Sequence, residues 1–267
     1  MYRRTQLHRA GIFRSSVLVD LVNWLGIPFL AIYLFAMFIF PWFNVHSQWR
    51  HVQAVWDRWQ TLNAGALAFL ASLIAFNITK FNENAQRERE FAAAKSFLPS
   101  TLSELMDYFS QSARVLGGLW EANGRSHATP LNHPDLPANC REVFSNCIRH
   151  SDPKVGSYLS NILVRLQIHD SRLRDATRQH QAEARGSVAD RHAILAYIYR
   201  LGELYALAGK LFSFARGEED FDSTRLNWED FRSAFAILDI ELEDIVIDDK
   251  MNLQAFTERR LARNDDI

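Results

Sequence analysis

The sequence predicts an all-α protein in which an N-terminal two-helix transmembrane hairpin is followed by a helical cytoplasmic domain. Two apolar segments lie near the N-terminus, and from Lys80 onward the composition becomes that of a soluble protein. Apolar residues there recur at steps of three and four, without the alternation of strands. The expected parts are a basic cytoplasmic N-terminus (1–16), a first transmembrane helix (17–43), a short extracytoplasmic aromatic loop (44–60), a second transmembrane helix (61–79) and the cytoplasmic domain (80–267).

The totals are compatible with this plan. A chain of 267 residues accommodates one medium-sized domain and a membrane anchor, and its mean hydropathy of −0.17 averages the two. Lys and Arg (30) balance Asp and Glu (31), so the net charge does not predict direct nucleic-acid binding. Two cysteines do not form a disulfide framework in a chain of this length, and in the cytosol they should be reduced.

The first apolar segment runs from Leu21 to Phe43 and contains no ionisable residue; Asn23 is its only strongly polar side chain. A helix needs ~20 apolar residues to cross a bilayer. Gly26 and Pro28 favour a kink near its start, and Trp42 suits its exit at the interface. The alternatives are a core helix, which is rarely apolar on all sides over this length, and a signal peptide, which needs a cleavage site. We therefore expect a membrane anchor.

The second segment, from about Leu62 to Ile78, is shorter and rich in small residues. Small residues three or four positions apart let membrane helices approach closely. The candidate packing residues are Ala64, Ala68, Ala71, Ser72 and Ala75. The alternative is that alanine is merely tolerated there. The packing partner is either the first helix or a second copy of the protein. We expect a homo-oligomer in the lipid bilayer.

Basic residues flank the outer ends of the two segments: Arg3, Arg4, Arg9 and Arg14 precede the first, and Lys80, Arg87, Arg89 and Lys95 follow the second. The connecting loop holds only Arg50 and Arg58. Positive charge favours the cytoplasmic side, so both termini are predicted to be cytoplasmic.

Tryptophans at near-helical spacing mark this loop. Tryptophan prefers the membrane–water boundary, so we expect a short amphipathic helix on the outer face. The candidate interfacial residues are Trp42, Trp49, Trp56 and Trp59. The alternative is a binding surface for an extracytoplasmic partner.

The periodicity continues the second membrane helix into the cytosol and predicts an interruption at Pro99. A helix over Ser100–Glu121 follows, and Glu121–Pro137 has the composition of a loop. A short helix is expected from Cys140 to His150.

The next helix should begin at Asp152-Pro153 and end near Gly186, after which Ser187 is the expected cap of a strongly apolar helix. Three charged residues inside that helix argue against a third span, because a charge at the centre of a span costs ~2.5–3.5 kcal/mol. They are Arg200, Glu203 and Lys210. Asn227 should cap a further helix, and Asp248 should start the last one.

No enzyme motif is present. The sequence lacks GxGxxG, a Gly-rich loop ending in Lys-Ser/Thr, and GxSxG, so neither catalytic residues nor a cofactor are predicted. His169-Asp170 is interpreted as a solvated helical surface rather than part of a metal phosphohydrolase site.

Metal binding is not predicted either. The densest candidate cluster has gaps that do not match compact zinc spacings; it consists of His127, His133, Cys140, Cys147 and His150. An acidic run lacks the glycine and spacing of a calcium loop and is interpreted as the wet side of a packed element, or as an acidic docking surface. It comprises Asp239, Glu241, Glu243, Asp244, Asp248 and Asp249.

The apolar segments Leu21–Phe43 and Leu62–Ile78 contain no Asp, Glu, Lys, Arg or His, which argues against a transporter. Two function classes remain. In the first, the hairpin oligomerises and permeabilises the membrane when the cytoplasmic domain is triggered. In the second, the chain is a membrane-tethered protein-interaction or signalling module that does not damage the membrane.

The organisation resembles the two-span membrane effectors of bacterial antiviral systems, in particular those encoded beside retron reverse transcriptases. The resemblance lies in the hairpin at about Leu21–Ile78, the helix leaving the membrane through Arg87–Glu90 into Ala92–Pro99, and a helical domain without catalytic residues. It implies abortive infection, in which a cytosolic ribonucleoprotein sensor of reverse transcriptase, RNA and DNA triggers the membrane protein. No functional residue is carried over.

Overall fold

The computed structural model describes residues 24, 26, 28–39, 49–122, 131–182, 190–248 and 251–264. These residues are almost entirely helical; the strands among them are β1 (Val246–Asp248) and β2 (Met251–Asn252), which pair antiparallel. The predicted all-α class is therefore confirmed. The chain divides into two compact units, Met1–Phe81 and Asn82–Ile267.

The first unit contains a short apolar helix, an amphipathic helix and the beginning of a long helix. They are α1 (Pro28–Met37, with a π-helical turn at Phe35–Ile39), α2 (Trp49–Arg58) and α3 (Gln60–Lys95). The helix expected in the aromatic loop is thus present as α2. Tyr33 Oη of α1 donates a hydrogen bond to Asn63 Oδ1 of α3, and Trp56 Nε1 of α2 donates to the Met37 carbonyl at 3.2 Å.

Helix α3 is a single helix of 36 residues, and none of them is buried. Large apolar side chains along it are exposed, among them Leu67 at 67% and Phe81 at 73%. One helix among the described residues is long and apolar enough to cross a membrane; it lies in the helical stretch Gln60–Ala122, and its most apolar window is not covered by protein.

The second unit contains the end of α3 and seven further helices within the described residues. In chain order these are α4 (Leu98–Ala122), α5 (Cys140–His150), α6 (Pro153–Ala182), α7 (Arg191–Gly209), α8 (Leu211–Arg216), α9 (Trp228–Ile237) and α10 (Leu253–Asn264). The short helix predicted at Cys140–His150 is confirmed.

Helix α7 lies at the centre of this unit, packed against α4, α6 and α9. Most of its apolar side chains are buried, which confirms that this segment is a core helix of the domain. Against α9 it packs closely at Gly202, where a Cβ would collide with the ring of Phe235. Only glycine permits this approach, because any larger residue would separate the two helices.

The break between α3 and α4 differs from the prediction. It lies at Ser96–Phe97, and Pro99 occupies the first turn of α4 instead of interrupting the helix. Proline fits this position because the first backbone N–H groups of a helix have no intrahelical partner.

The predicted cap at Ser187 is wrong, because α7 begins at Arg191 and its N-cap is Asp190. The Asp190 carboxylate accepts a hydrogen bond from the His192 backbone N–H at 3.0 Å. Ser187 itself lies outside the described residues. The cap at Asn227 is confirmed, and with Asp230 it forms a reciprocal capping box.

The predicted start of the last helix at Asp248 is also wrong. Asp248 belongs to β1, and α10 begins at Leu253. Asn252 Oδ1 accepts a hydrogen bond from the Ala255 backbone N–H at 2.7 Å, so the last residue of β2 caps the helix.

Candidate functional site

The five small residues predicted for helix packing all lie on α3 and are exposed. They are Ala64, Ala68, Ala71, Ser72 and Ala75. With 3.6 residues per turn they fall within an arc of about 100° on the helix surface. We call this arc the small-residue face.

The opposite side of the same helix is partly covered. The half-buried positions between residues 60 and 79 are Asn63, Ala66, Leu70 and Leu73. They fall within an arc of about 80° on the far side from the small-residue face, and Asn63 among them is bonded to Tyr33 of α1. Within the first unit, the hydrogen bond between α1 and α3 therefore lies on the side of α3 away from the small-residue face.

Polar side chains in and just after the apolar part of α3 bond to their own helix. Ser72 Oγ donates to the Ala68 carbonyl at 2.9 Å, and Thr79 Oγ1 donates to the Ala75 carbonyl at 2.9 Å. Such bonds satisfy a hydroxyl without water, as hydrocarbon surroundings require.

Two exposed tryptophans lie at the two ends of α2, Trp49 as its first residue and Trp59 directly after its last, with the half-buried Trp56 between them. Trp49 and Trp59 are 53% and 46% exposed, and the rings of Trp49 and Trp56 meet edge to face with centroids 6.4 Å apart. Trp42 lies outside the described residues. The amphipathic helix expected here is thus confirmed as a helix, while its place at the interface stays a prediction.

The end of α3 is bound to the helical domain through the junction of α5 and α6. Arg87 Nε donates to the His150 carbonyl at 3.0 Å, and its Nη2 donates to the Ser151 carbonyl. One turn on, Glu90 Oε2 lies 2.9 Å from His150 Nδ1. The His150 and Ser151 carbonyls that accept these hydrogen bonds lie at the C-terminal end of α5, where the helix dipole favours a cation.

A second contact follows one turn later. The ring of Phe91 meets that of Phe214 on α8 at 6.4 Å, and Lys95 Nζ lies 3.9 Å from the centroid of the same ring. We call Arg87, Glu90, Phe91 and Lys95 the docking segment. Sequence reasoning missed it, because its partners lie far along the chain and no local pattern marks them.

The interpretation of His169-Asp170 as a solvated surface is wrong. The two residues are only 3% and 6% exposed. Asp170 Oδ1 accepts a hydrogen bond from Tyr108 Oη at 3.1 Å and lies 3.1 Å from His133 Nε2, while Asp170 Oδ2 accepts from Arg174. A buried carboxylate is tolerated there because each oxygen has a donor.

Burial changes the protonation of groups in this region. Desolvation lowers the pKa of His169 to about 4, against a smaller opposing effect of Asp170. Burial also raises the pKa of the Tyr108 hydroxyl, with the Asp170 charge acting in the same direction. At neutral pH His169 is therefore an uncharged imidazole and Tyr108 a hydrogen-bond donor.

The candidate metal ligands do not come together. Cys140 and Cys147 are buried free thiols, and burial raises the pKa of Cys140 to about 12. His133 contacts Asp170 and His150 contacts Glu90, whereas His127 lies outside the described residues. Within the part of the chain that the structure describes, no group of three or more His, Cys, Asp or Glu side chains is placed to hold a metal ion.

The acidic run before β1 is an exposed surface. Asp239, Glu241, Glu243 and Asp244 are exposed, while Ile245 between them and β1 is buried. These four residues are therefore confirmed as the solvent-exposed side of a packed element.

No family model matches this chain, and no match is found among curated proteins or solved structures.

Proposed function

We propose that this protein is a membrane effector whose apolar helices self-associate and permeabilise the inner membrane when its helical domain is triggered. The observation that carries the proposal is that the two parts of α3 have different features. Its apolar part has an uncovered small-residue face, and its end carries the docking segment that binds the helical domain.

The proposal includes a transmembrane hairpin made by Leu21–Phe43 and Leu62–Ile78, with both termini in the cytoplasm. The Tyr33–Asn63 hydrogen bond and the contact of Trp56 with the Met37 carbonyl support this pairing. Because the hydrogen bond from Tyr33 of α1 reaches α3 at Asn63, on the side away from the small-residue face, that face suits a second copy of the chain better than the first helix. Close packing of small residues drives helix association in lipid.

The docking segment supplies a route for the trigger. A change in the helical domain that alters the surface around His150, Ser151 or Phe214 changes the free energy of holding the end of α3. Since α3 runs from Gln60 to Lys95, its apolar part continues along the chain into the segment that feels this change. A largely apolar lining between associated helices would stay dry until such a change wets it.

In biological terms, the proposed role is abortive infection in antiphage defence. The trigger would come from a cytosolic sensor such as a retron reverse transcriptase with its RNA–DNA product. The exposed side chains of Trp49 and Trp59 fit the outer membrane–water boundary in this arrangement.

The test is to express the full chain in bacteria, alone and with its genomic neighbours, while following growth and membrane potential with a dye. We expect depolarisation to precede growth arrest when the sensor is triggered by phage. No depolarisation and no growth arrest under any trigger would contradict the effector role. That result would favour the membrane-tethered interaction module instead.

A further inference from the structure

A basic cavity lies between α6 and α7 in the helical domain. It has a volume of about 220 Å³, and the residues that line it include Arg165, His169 and Arg172 of α6 and Tyr197, Arg200 and Leu204 of α7. Arg165, His169 and Arg172 are spaced i, i+4 and i+7, which puts them on one face of α6. Arg200 of α7 lines the same cavity.

The charges of this cavity are only partly compensated. Glu203 is 4% exposed and pairs with both Arg165 and Arg200, at 2.6 Å in the second case. Arg172 makes no hydrogen bond or ion pair with the described residues. Three guanidinium groups against one carboxylate leave the cavity with a positive charge.

His169 adds a second, independent observation. Its ring is 3% exposed and lines the cavity, and Nε2 has no hydrogen-bond partner within the described part of the chain. A buried polar atom without a partner costs about 1–3 kcal/mol, so such atoms usually bind something. Because burial keeps this imidazole neutral, it adds no charge to the cavity.

We propose that this cavity binds a small phosphate-bearing ligand. Guanidinium groups match phosphate oxygens with two parallel hydrogen bonds, and Arg172 is the one whose donors are not engaged within the described residues. A single water needs only ~10–15 Å³, so the cavity admits a ligand of several atoms. Tyr197 and Leu204 provide apolar surface for an organic group attached to the phosphate.

The test is a thermal-unfolding titration of the full chain in nanodiscs of zwitterionic lipid. Inorganic phosphate and AMP are the probes, and adenosine is the control without phosphate. A ligand that binds only the folded state raises Tm with its concentration. We expect phosphate and AMP to raise Tm and adenosine to leave it unchanged.

Variants assign the effect to the cavity. Arg172→Gln should weaken the apparent affinity about tenfold, the change that corresponds to ~1.4 kcal/mol. Arg178→Gln on the same helix is the matched control, because Arg178 is exposed and does not line the cavity. Glu203→Gln should strengthen binding, because it removes the negative charge that compensates Arg165 and Arg200.

The proposal is wrong if neither phosphate nor AMP changes Tm, or if Arg172→Gln and Arg178→Gln weaken binding equally. A parallel sample in phosphatidylglycerol nanodiscs tests a lipid source. Stabilisation there that depends on Arg172, with no effect of AMP or phosphate, would overturn the small ligand in favour of a lipid headgroup. These outcomes are independent of the proposed membrane activity, because no readout involves permeability.

Discussion

Asp170 is the side chain on which the interior polar contacts of the helical domain converge. It joins Tyr108 of α4, His133 of the segment before α5, and Arg174 of its own helix. The Gln181 side chain adds a further bond from α6 to the same segment, by donating to the Leu131 carbonyl at 2.8 Å. These contacts fix residues 131–137, which have no regular structure of their own.

Replacing Tyr108 with phenylalanine should destabilise the domain by about 1–2 kcal/mol, because it removes a donor from a buried carboxylate. The measurement is urea unfolding of the full chain in detergent. Tyr205→Phe is the matched control, since Tyr205 packs its ring against Phe109 but its hydroxyl makes no hydrogen bond to the described residues. Equal losses in the two variants would contradict this role of Asp170.

His169 should make the stability of the domain depend on pH. Burial lowers its folded pKa from 6.5 to about 4, so below pH 6.5 the unfolded state binds a proton that the folded state does not. Stability is therefore complete above pH 6.5 and is lost as pH falls towards 4, by up to roughly 3 kcal/mol.

The measurement compares unfolding free energies of wild type and His169→Phe across pH 4 to 6.5, the range set by the two pKa values. As pH falls, the unfolding free energy of wild type should decrease steadily relative to that of His169→Phe. His192→Phe, at an exposed position on α7, is the control and should follow wild type. A constant difference between wild type and His169→Phe would show that burial does not hold this imidazole neutral.

At the scale of elements, the docking segment at the end of α3 is the contact on which the proposed trigger depends. Arg87→Gln removes the bonds to the His150 and Ser151 carbonyls, so hydrogen exchange of residues 82–95 should become several-fold faster. Arg89→Gln is the control, because Arg89 is exposed and makes no hydrogen bond or ion pair with the described residues. Unchanged exchange in Arg87→Gln would mean that other contacts hold the segment.

Local patterns predicted the elements whose signals are local. Cys140–His150 and the Asn227 cap followed from apolar spacing and capping chemistry, and both are confirmed. Ser187 and Asp248 failed because several Ser, Asp and Asn residues near each helix start compete for the cap. Only the structure shows that Asp190 and Asn252 take those positions.

Long-range contacts could not be predicted in this way. His169-Asp170 looked solvated because its polar neighbours on α6 are exposed, while its partner Tyr108 lies 62 residues away. The i, i+4, i+7 spacing of Arg165, His169 and Arg172 was visible in the sequence. The placement of Arg200 beside them depends on the packing of α6 against α7, which no single-segment pattern reports.

At the scale of the whole molecule, the two units have opposite surface properties. The second unit buries a continuous core of apolar side chains, whereas α1 and the first part of α3 expose theirs. Exposed apolar surface of this extent marks contact with lipid or another protein. In the proposed membrane effector it would serve both: the large exposed side chains would face lipid, and the small-residue face would meet a second copy.

Membrane potential in triggered cells, compared between packing variants, tests this account most directly. Wild type should depolarise the membrane, and Ala68→Leu with Ser72→Leu should abolish depolarisation, because bulky side chains keep the helices apart. Ile74→Phe is the matched control: it adds bulk at an exposed position outside the small-residue face and should retain activity. Depolarisation that survives in the double variant would contradict close packing on this face as the mechanism.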